Sequence, residues 1–169
     1  KCRYGLMLNE DGMVYDDGVT TRLDENHYIM TTTTGGAANV MGKLEDYLQT
    51  EWPELDVYLT SVTDHFATVS ICGPNSNKIL NKIIPSLDLS DENFPHMSFK
   101  NAKIGKINCR VMRISFTGEH SYEINIQANY GNSLWEKCME AGKEFNITPY
   151  GTEAMHLLRA EKGFIIVGQ

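Results

Sequence analysis

The chain has 169 residues, of which 41% are hydrophobic, and its formal net charge is −7. This length can bury a sizeable core in one domain or two small ones without disulfides or metals. The negative charge disfavours non-specific nucleic-acid binding, which needs clustered Lys and Arg. Because no apolar run approaches the roughly 20 residues that cross a bilayer, the sequence predicts a cytoplasmic protein without a membrane partner.

The metal-binding residue types show no ligand spacing. The four cysteines are far apart and form no C-x-x-C pair, and the five histidines form no H-x-x-x-H pair. These patterns argue against a zinc site and against a disulfide-dense secreted scaffold. The sequence therefore predicts reduced, mostly buried thiols and no metal.

The first part of the chain predicts an antiparallel meander and a helix. Three strand-like runs cover residues 4–8, 13–22 and 27–34, and turn residues separate them. Gly35-Gly36 then opens a helix whose apolar residues recur at helical spacing until Pro53. These two glycines indicate either a tight turn or a backbone approach to an anion.

The second part alternates strands and helices. Extended stretches are predicted at Val57–Val62 and Phe66–Ile71, followed by a helix that starts at Gly73-Pro74. The later elements are strands near residues 99–103, 108–116 and 122–126 and helices near 131–144 and 152–162.

This order of elements is typical of an α+β fold with antiparallel sheets and packed helices. The segment from Phe66 to about Glu144 reads β-α-β-β-α, the opening of a ferredoxin-like unit. We predict that residues 1–65 are part of a first α+β subdomain and residues 66–169 a second. The chain starts inside a strand and stops just after a helix, so we expect it to be a piece of a longer protein.

Carboxylates are the strongest candidates for chemistry, because the sequence contains no Walker A, dinucleotide-binding or nucleophile-elbow motif. Asp16 and Asp17 interrupt a strand, and alternation sends their side chains to opposite faces. One acid can therefore face a ligand, although a solvated pair fits the same pattern. Glu119 lies in a predicted turn, whereas Glu123 lies inside an apolar strand and needs a partner if it is buried. A carboxylate's two oxygens suit the paired N–H donors of a 2-aminopyrimidinone such as a pterin.

Five ordered landmarks resemble the family that includes the glycine-cleavage T-protein, dimethylglycine-oxidising enzymes and sarcosine oxidase alpha subunits. They are Tyr4-Gly5-Leu6-Met7-Leu8-Asn9, Gly12-Met13-Val14-Tyr15-Asp16-Asp17, Cys72-Gly73-Pro74-Asn75, Phe116-Thr117-Gly118-Glu119 with Tyr122-Glu123-Ile124, and Leu158-Arg159-Ala160-Glu161-Lys162-Gly163. Longer strings, such as Ile147-Thr148-Pro149-Tyr150-Gly151-Thr152-Glu153, are similar to the sarcosine oxidase branch.

The resemblance implies a T-protein-type folate-binding fold with subdomains arranged around a folate cavity. It implies that tetrahydrofolate captures a methylene unit, released from an N-methyl amino acid, as 5,10-methylenetetrahydrofolate. On this resemblance Asp17 is the catalytic acid, Glu123 grips the pterin, and Tyr4, Asp16 and Glu119 complete the folate-binding set. The family further implies other sarcosine oxidase subunits as partners. FAD, FMN and NAD sites, N-terminal cofactor domains and a C-terminal barrel are expected outside this chain.

One departure from the T-protein pattern concerns a cationic pterin contact. An Arg-Asp pair of that pattern, shortly before the arginine matched by Arg159, is Met155-His156 in this chain. A T-protein acting on lipoyl-bound aminomethyl groups is therefore the alternative enzyme. A non-catalytic folate-binding regulatory module and a purely structural domain are the alternatives outside catalysis. Arg159 and Glu161 fit either a ligand contact or helix packing.

Overall fold

A computed structural model describes residues 1–168, leaving out Gln169. The described chain contains antiparallel sheets with packed helices, so the predicted α+β class is confirmed. It divides into two compact units, which are described separately. Unit 1 comprises Lys1–Thr63 together with residues 166–168, and unit 2 comprises Asp64–Ile165.

Unit 1 is a three-stranded antiparallel meander with one long helix. Its elements are β1 (Cys2–Leu8), β2 (Val14–Asp24), β3 (His27–Thr32) and α1 (Ala37–Thr50). A short 3₁₀ turn, Thr34–Gly36, joins β3 to α1. In the β1–β2 pairing Met7 lies opposite Asp16 and Leu8 opposite Val14, so the register skips Tyr15. This β-bulge adds one residue to β2 immediately before the two acidic residues.

The predicted strand at Val57–Val62 is wrong. These residues belong to no strand of the described chain, and the next element is a 3₁₀ turn at Thr63–His65. The β-branched and aromatic composition favours extended backbone, but a strand also needs a neighbour for its N–H and C=O groups. Tyr58, at 90% exposure, shows that this segment packs little of its apolar surface.

Unit 2 is a four-stranded sheet with two of its helices packed on one face. Its elements are β4 (Phe66–Cys72), α2 (Ser76–Ile83), β5 (Ser98–Ile104), β6 (Ile107–Arg113), β7 (Ser121–Gln127), α3 (Gly131–Gly142) and α4 (Thr152–Glu161). The strand order is β4-β7-β6-β5, and every neighbouring pair is antiparallel. Up to α3 the chain reads β-α-β-β-β-α. The three strands between the two helices were each predicted, although the predicted pattern β-α-β-β-α counted only two of them.

The core of unit 2 lies on one face of this sheet. Tyr122, Ile124 and Ile126 of β7 are buried in a cluster that includes Leu80 of α2 and Leu134 of α3. Each such side chain contributes about 1.5–3 kcal/mol of hydrophobic stabilisation. Because side chains alternate along a strand, the residues between them lie on the opposite face, which we call the polar face. The polar face carries the candidate residues of unit 2.

The four cysteines of the chain are free, and three of them, Cys2, Cys109 and Cys138, are buried. Burial raises the pKa of both Cys109 and Cys138 to about 11, so these thiols stay protonated at neutral pH. The prediction of reduced, mostly buried thiols is confirmed.

Candidate functional site

Asp16 is buried in unit 1 and binds backbone amides. It is 1% exposed, and its Oδ1 accepts hydrogen bonds from the N–H groups of Asp17, at 2.8 Å, and Thr33, at 3.0 Å. Its other oxygen, Oδ2, lies so close to Gly36 that a Cβ at that glycine would be 1.9 Å away. The carboxylate thus connects β2 to the turn that starts α1. This arrangement explains why the turn requires glycine at position 36.

The contact between Asp16 and Gly36 predicts that alanine substitutions at two neighbouring glycines affect stability differently. We expect Gly36→Ala to destabilise unit 1 by about 1–3 kcal/mol, because the new methyl group forces the buried carboxylate away from its two amides. Gly35→Ala is the matched control, since a Cβ at Gly35 meets nothing within 4 Å. Hydrogen exchange of the peptide covering α1 measures the difference. Equal exchange rates in the two variants would contradict the close contact between Gly36 and the Asp16 carboxylate.

Asp17 and Tyr4 form a hydrogen-bonded pair on the opposite face of the same sheet. The Tyr4 hydroxyl donates to Asp17 Oδ2 at 2.7 Å. The pair is diagonal, because Tyr4 lies opposite Val19 and Leu6 lies opposite Asp17. Partial burial, followed by the hydrogen bond to Asp17, raises the pKa of Tyr4 to about 12. The tyrosine therefore remains a donor throughout the physiological pH range and holds the carboxylate in place.

The surface around this pair is apolar and exposed. Leu6 and Leu8 share the β1 face with Tyr4, and all three side chains are about half exposed. A carboxylate beside aromatic and aliphatic side chains can bind a flat heterocycle that carries N–H groups. The structure thus brings together two predicted residues, Tyr4 and Asp17, and places Asp16 on the other face.

Glu123 lies on the polar face of unit 2. It occupies the middle of β7, opposite Ser70 of β4 and Met112 of β6. Burial raises the pKa of its carboxyl group to about 6. Among residues 1–168 this carboxylate has neither a hydrogen bond nor an ion pair. A desolvated carboxylate without a partner is costly, and a ligand with two N–H donors can offset that cost.

Tyr150 is a neighbour of Glu123 that sequence reasoning missed. Burial, and then the Cys72 thiol, raise the pKa of Tyr150 to about 12, and the Glu123 carboxylate acts in the same direction. The phenol is therefore a neutral hydrogen-bond donor close to an ionisable carboxylate. The sequence marked this segment only by its similarity to the sarcosine oxidase branch, which says nothing of proximity to β7.

Glu119 lies in the loop before β7 and lines a different surface. It approaches Lys162 at 3.8 Å, and both side chains are substantially exposed. The loop borders a cleft of about 300 Å³ whose lining includes His96, Arg113 and His120 but not Glu123. The structure therefore does not group Glu119 with the other predicted carboxylates.

Within residues 1–168, no group of three or more His, Cys, Asp or Glu side chains could hold a metal ion. No helix in that range has the length and apolar character needed to cross a membrane.

The fold and these side chains define a class of protein, an α+β domain that presents carboxylates beside apolar and aromatic groups. The chain belongs to the GCVT N-terminal domain family, whose sequence profile matches residues 1–169. A solved structure supports the fold: the glycine cleavage system aminomethyltransferase T from Bartonella henselae superposes with a TM-score of 0.79. That match has 22% identity and covers 98% of this chain and 42% of the other.

Sarcosine oxidase alpha subunits and aminomethyltransferases are similar to nearly the whole of this chain. The Corynebacterium sp. (strain P-1) sarcosine oxidase subunit alpha is 57% identical over 168 residues, 99% of this chain and 17% of the relative. The Rhizobium meliloti (strain 1021) subunit is 48% identical over 167 residues, 98% of this chain and also 17% of the relative. The Thermoanaerobacter sp. (strain X514) aminomethyltransferase is 34% identical over 166 residues, 98% of this chain and 43% of that enzyme. The chain thus spans less than half the length of these relatives.

Proposed function

We propose that this chain is the tetrahydrofolate-binding part of a sarcosine oxidase alpha subunit, where the methylene unit of sarcosine is converted to 5,10-methylenetetrahydrofolate. The observation that carries the proposal is the carboxylate of Glu123 on the polar face, which is desolvated by burial and has no hydrogen bond or ion pair within residues 1–168. The similarity to sarcosine oxidase alpha subunits supports this substrate. The oxidation itself, and the FAD, FMN and NAD that it uses, belong to the rest of the complex.

The proposed role of Glu123 is to bind the pterin ring. Its two oxygens accept hydrogen bonds from adjacent ring N–H and amino groups, a geometry that a carboxylate matches with both oxygens at once. The desolvation that penalises the free carboxylate also strengthens these hydrogen bonds, since the local dielectric is low. Binding of the ligand thus compensates a cost that is already present in the folded protein.

The proposed role of Asp17 is to accept a proton or to stabilise positive charge during transfer. Tetrahydrofolate supplies nitrogen nucleophiles that take up the one-carbon unit. A negative charge placed beforehand at Asp17 stabilises a cationic iminium and accepts the proton that a folate nitrogen loses. Tyr4 fixes this carboxylate through its 2.7 Å hydrogen bond and offers an aromatic face to the ligand.

The other predicted ligands have different proposed roles. Asp16 uses one oxygen to bind two backbone amides, so we assign it the positioning of β2 and of its neighbour Asp17 rather than direct folate contact. Glu119 remains a prediction as a folate-binding residue. The subdomain boundary between residues 65 and 66, the cytoplasmic location and the contacts with other sarcosine oxidase subunits are proposals of the same kind.

The product formed from sarcosine tests the proposed function. We expect the complete enzyme to yield 5,10-methylenetetrahydrofolate when tetrahydrofolate is present and formaldehyde when it is absent. Calorimetric titration with folinate should show saturable binding to the alpha subunit. Formaldehyde as the product under both conditions, with folinate binding intact, would identify a non-catalytic folate-binding module. An absence of folinate binding would leave only a structural role.

A further inference from the structure

Arg110 of β6 is a second unusual side chain on the polar face of unit 2. Cys109 and Val111, its neighbours in sequence, belong to the core cluster, so Arg110 lies on the face that carries Glu123. It pairs in register with Asn125 of β7, and Met112 pairs with Glu123. Arg110 and Glu123 are therefore diagonal neighbours, whose Cα atoms are about 7–8 Å apart in a regular antiparallel pair.

The guanidinium of Arg110 has N–H donors for which residues 1–168 provide no acceptor. Its Nε and Nη1 atoms are buried, and within residues 1–168 they have no hydrogen-bond partner. Its register partner, Asn125, is 5% exposed and donates its own amide to Thr68 Oγ1 at 2.9 Å. The ring of Phe66 lies 5.9 Å from the guanidinium carbon, which is an attractive contact but provides no acceptor for the N–H groups.

Such a side chain lowers the stability of a domain that serves only as a scaffold. An arginine keeps its charge in proteins, and a buried N–H that lacks an acceptor loses its bonds to water without replacement. Burial lowers the pKa of Arg110, which reports the same desolvation of the cation. The residue as a whole is only half-buried, so part of its side chain is open to the polar face.

We propose that Arg110 donates hydrogen bonds to an oxygen of the folate, a carbonyl or a carboxylate, while Glu123 accepts from the pterin. This inference rests on the proposed function, because it concerns the same ligand. The two side chains are complementary in kind: Glu123 offers only acceptors and Arg110 only donors. A 2-amino-4-oxo-pterin joined to benzoylglutamate carries both N–H groups and oxygens, so one molecule satisfies both side chains. Phe66, beneath the guanidinium, extends the aromatic surface of the site.

The test is calorimetric titration of folinate into the complete alpha subunit and its Arg110→Met variant. Methionine keeps an apolar stem beside Phe66 and removes every donor. We expect about a ten- to hundredfold weaker binding, the usual cost of losing a buried hydrogen bond to a charged group. Lys103→Met is the matched control, because Lys103 is an exposed cation on the same face of the adjacent strand β5 and should leave binding unchanged.

Two further measurements separate the possible outcomes. Hydrogen exchange of β6 peptides in the unliganded protein should be equal or slower in Arg110→Met, since removing an unpaired buried cation does not destabilise the fold. A reduced pterin without the benzoylglutamate locates the contact. Weakening with both ligands assigns Arg110 to the pterin carbonyl, and weakening with folinate alone assigns it to the benzoylglutamate oxygens.

The inference is overturned if Arg110→Met binds folinate as tightly as wild type does. It is equally overturned if the variant's β6 exchange accelerates in step with the loss of binding, because that outcome shows a structural role. Failure of the proposed function gives a different result, in which wild type itself binds no folinate.

Discussion

On the proposed function, Asp17→Asn in the full-length protein is expected to lower the rate of 5,10-methylenetetrahydrofolate formation by about 10²–10⁴-fold, the usual range for loss of a general acid or base. Asparagine keeps the shape of the side chain and one oxygen for the Tyr4 hydroxyl, but it removes the negative charge and the proton acceptor. Folinate affinity should change by less than about threefold, because the lost interaction develops only during transfer. Stopped-flow measurement of transfer, with calorimetry alongside, tests both expectations.

The controls for this substitution come from the same hairpin. Asp11→Asn changes an exposed carboxylate in the β1–β2 turn whose oxygen accepts from the Met13 amide, a bond that asparagine can keep. It should leave the transfer rate unchanged. Tyr4→Phe removes the donor to Asp17 and should reduce transfer by about five- to tenfold, the value of one neutral-to-charged hydrogen bond at a half-exposed site. A transfer rate in Asp17→Asn equal to that of wild type would exclude Asp17 from the chemistry.

The different roles of Asp16 and Asp17 were only partly predictable. Strand alternation sends adjacent side chains to opposite faces, so the sequence predicts that one acid can face a ligand. It does not show which one, because the β-bulge at Tyr15 appears only once β1 and β2 are paired. The close approach of Asp16 to Gly36 depends on the fold of the turn between β3 and α1. The sequence shows the glycine at position 36, but it does not show that Asp16 lies against it.

The residues on the polar face of unit 2 were also only partly predictable from the sequence. An acidic residue inside an apolar strand marks Glu123 as unusual from the sequence alone, and the structure places it on the face away from the core. Arg110 carries no comparable signal, since alternating charged residues are ordinary in a half-exposed strand. Its position beside Glu123 follows from the register between β6 and β7, a contact between strands that propensity does not encode.

The folded protein should become more stable when Glu123 is replaced by Gln, although folate binding becomes weaker. The pKa of Glu123 is raised from 4.5 to about 6 in the folded protein, so folding favours the protonated form. The stability that this group contributes is therefore complete below pH 4.5 and is lost as the pH rises through 6. Gln resembles the protonated form at every pH. We expect the variant to gain up to about 2 kcal/mol at pH 8 and nothing at pH 4.5, since one pKa unit corresponds to about 1.4 kcal/mol.

Hydrogen exchange of β7 peptides, compared between variant and wild type at each pH, measures this gain without assuming that the whole subunit unfolds in one step. Other groups titrate alike in both proteins and cancel in the difference. A faster exchange in Glu123→Gln at pH 8 would show that the carboxylate has a stabilising partner in the free protein.

Folinate binding should respond to pH in the opposite sense. In wild type the affinity should fall about tenfold per unit once the pH is below 6, because the protonated carboxyl loses one acceptor oxygen and its charge. In Glu123→Gln the affinity should be about 10–100-fold lower at pH 8, the cost of removing a charged partner, and should vary little between pH 8 and pH 5. If the wild-type affinity stays constant between pH 8 and pH 5, the titration of Glu123 does not affect ligand binding. A carboxylate that destabilises the empty site and stabilises the occupied one is what a ligand contact requires and what a scaffold residue does not.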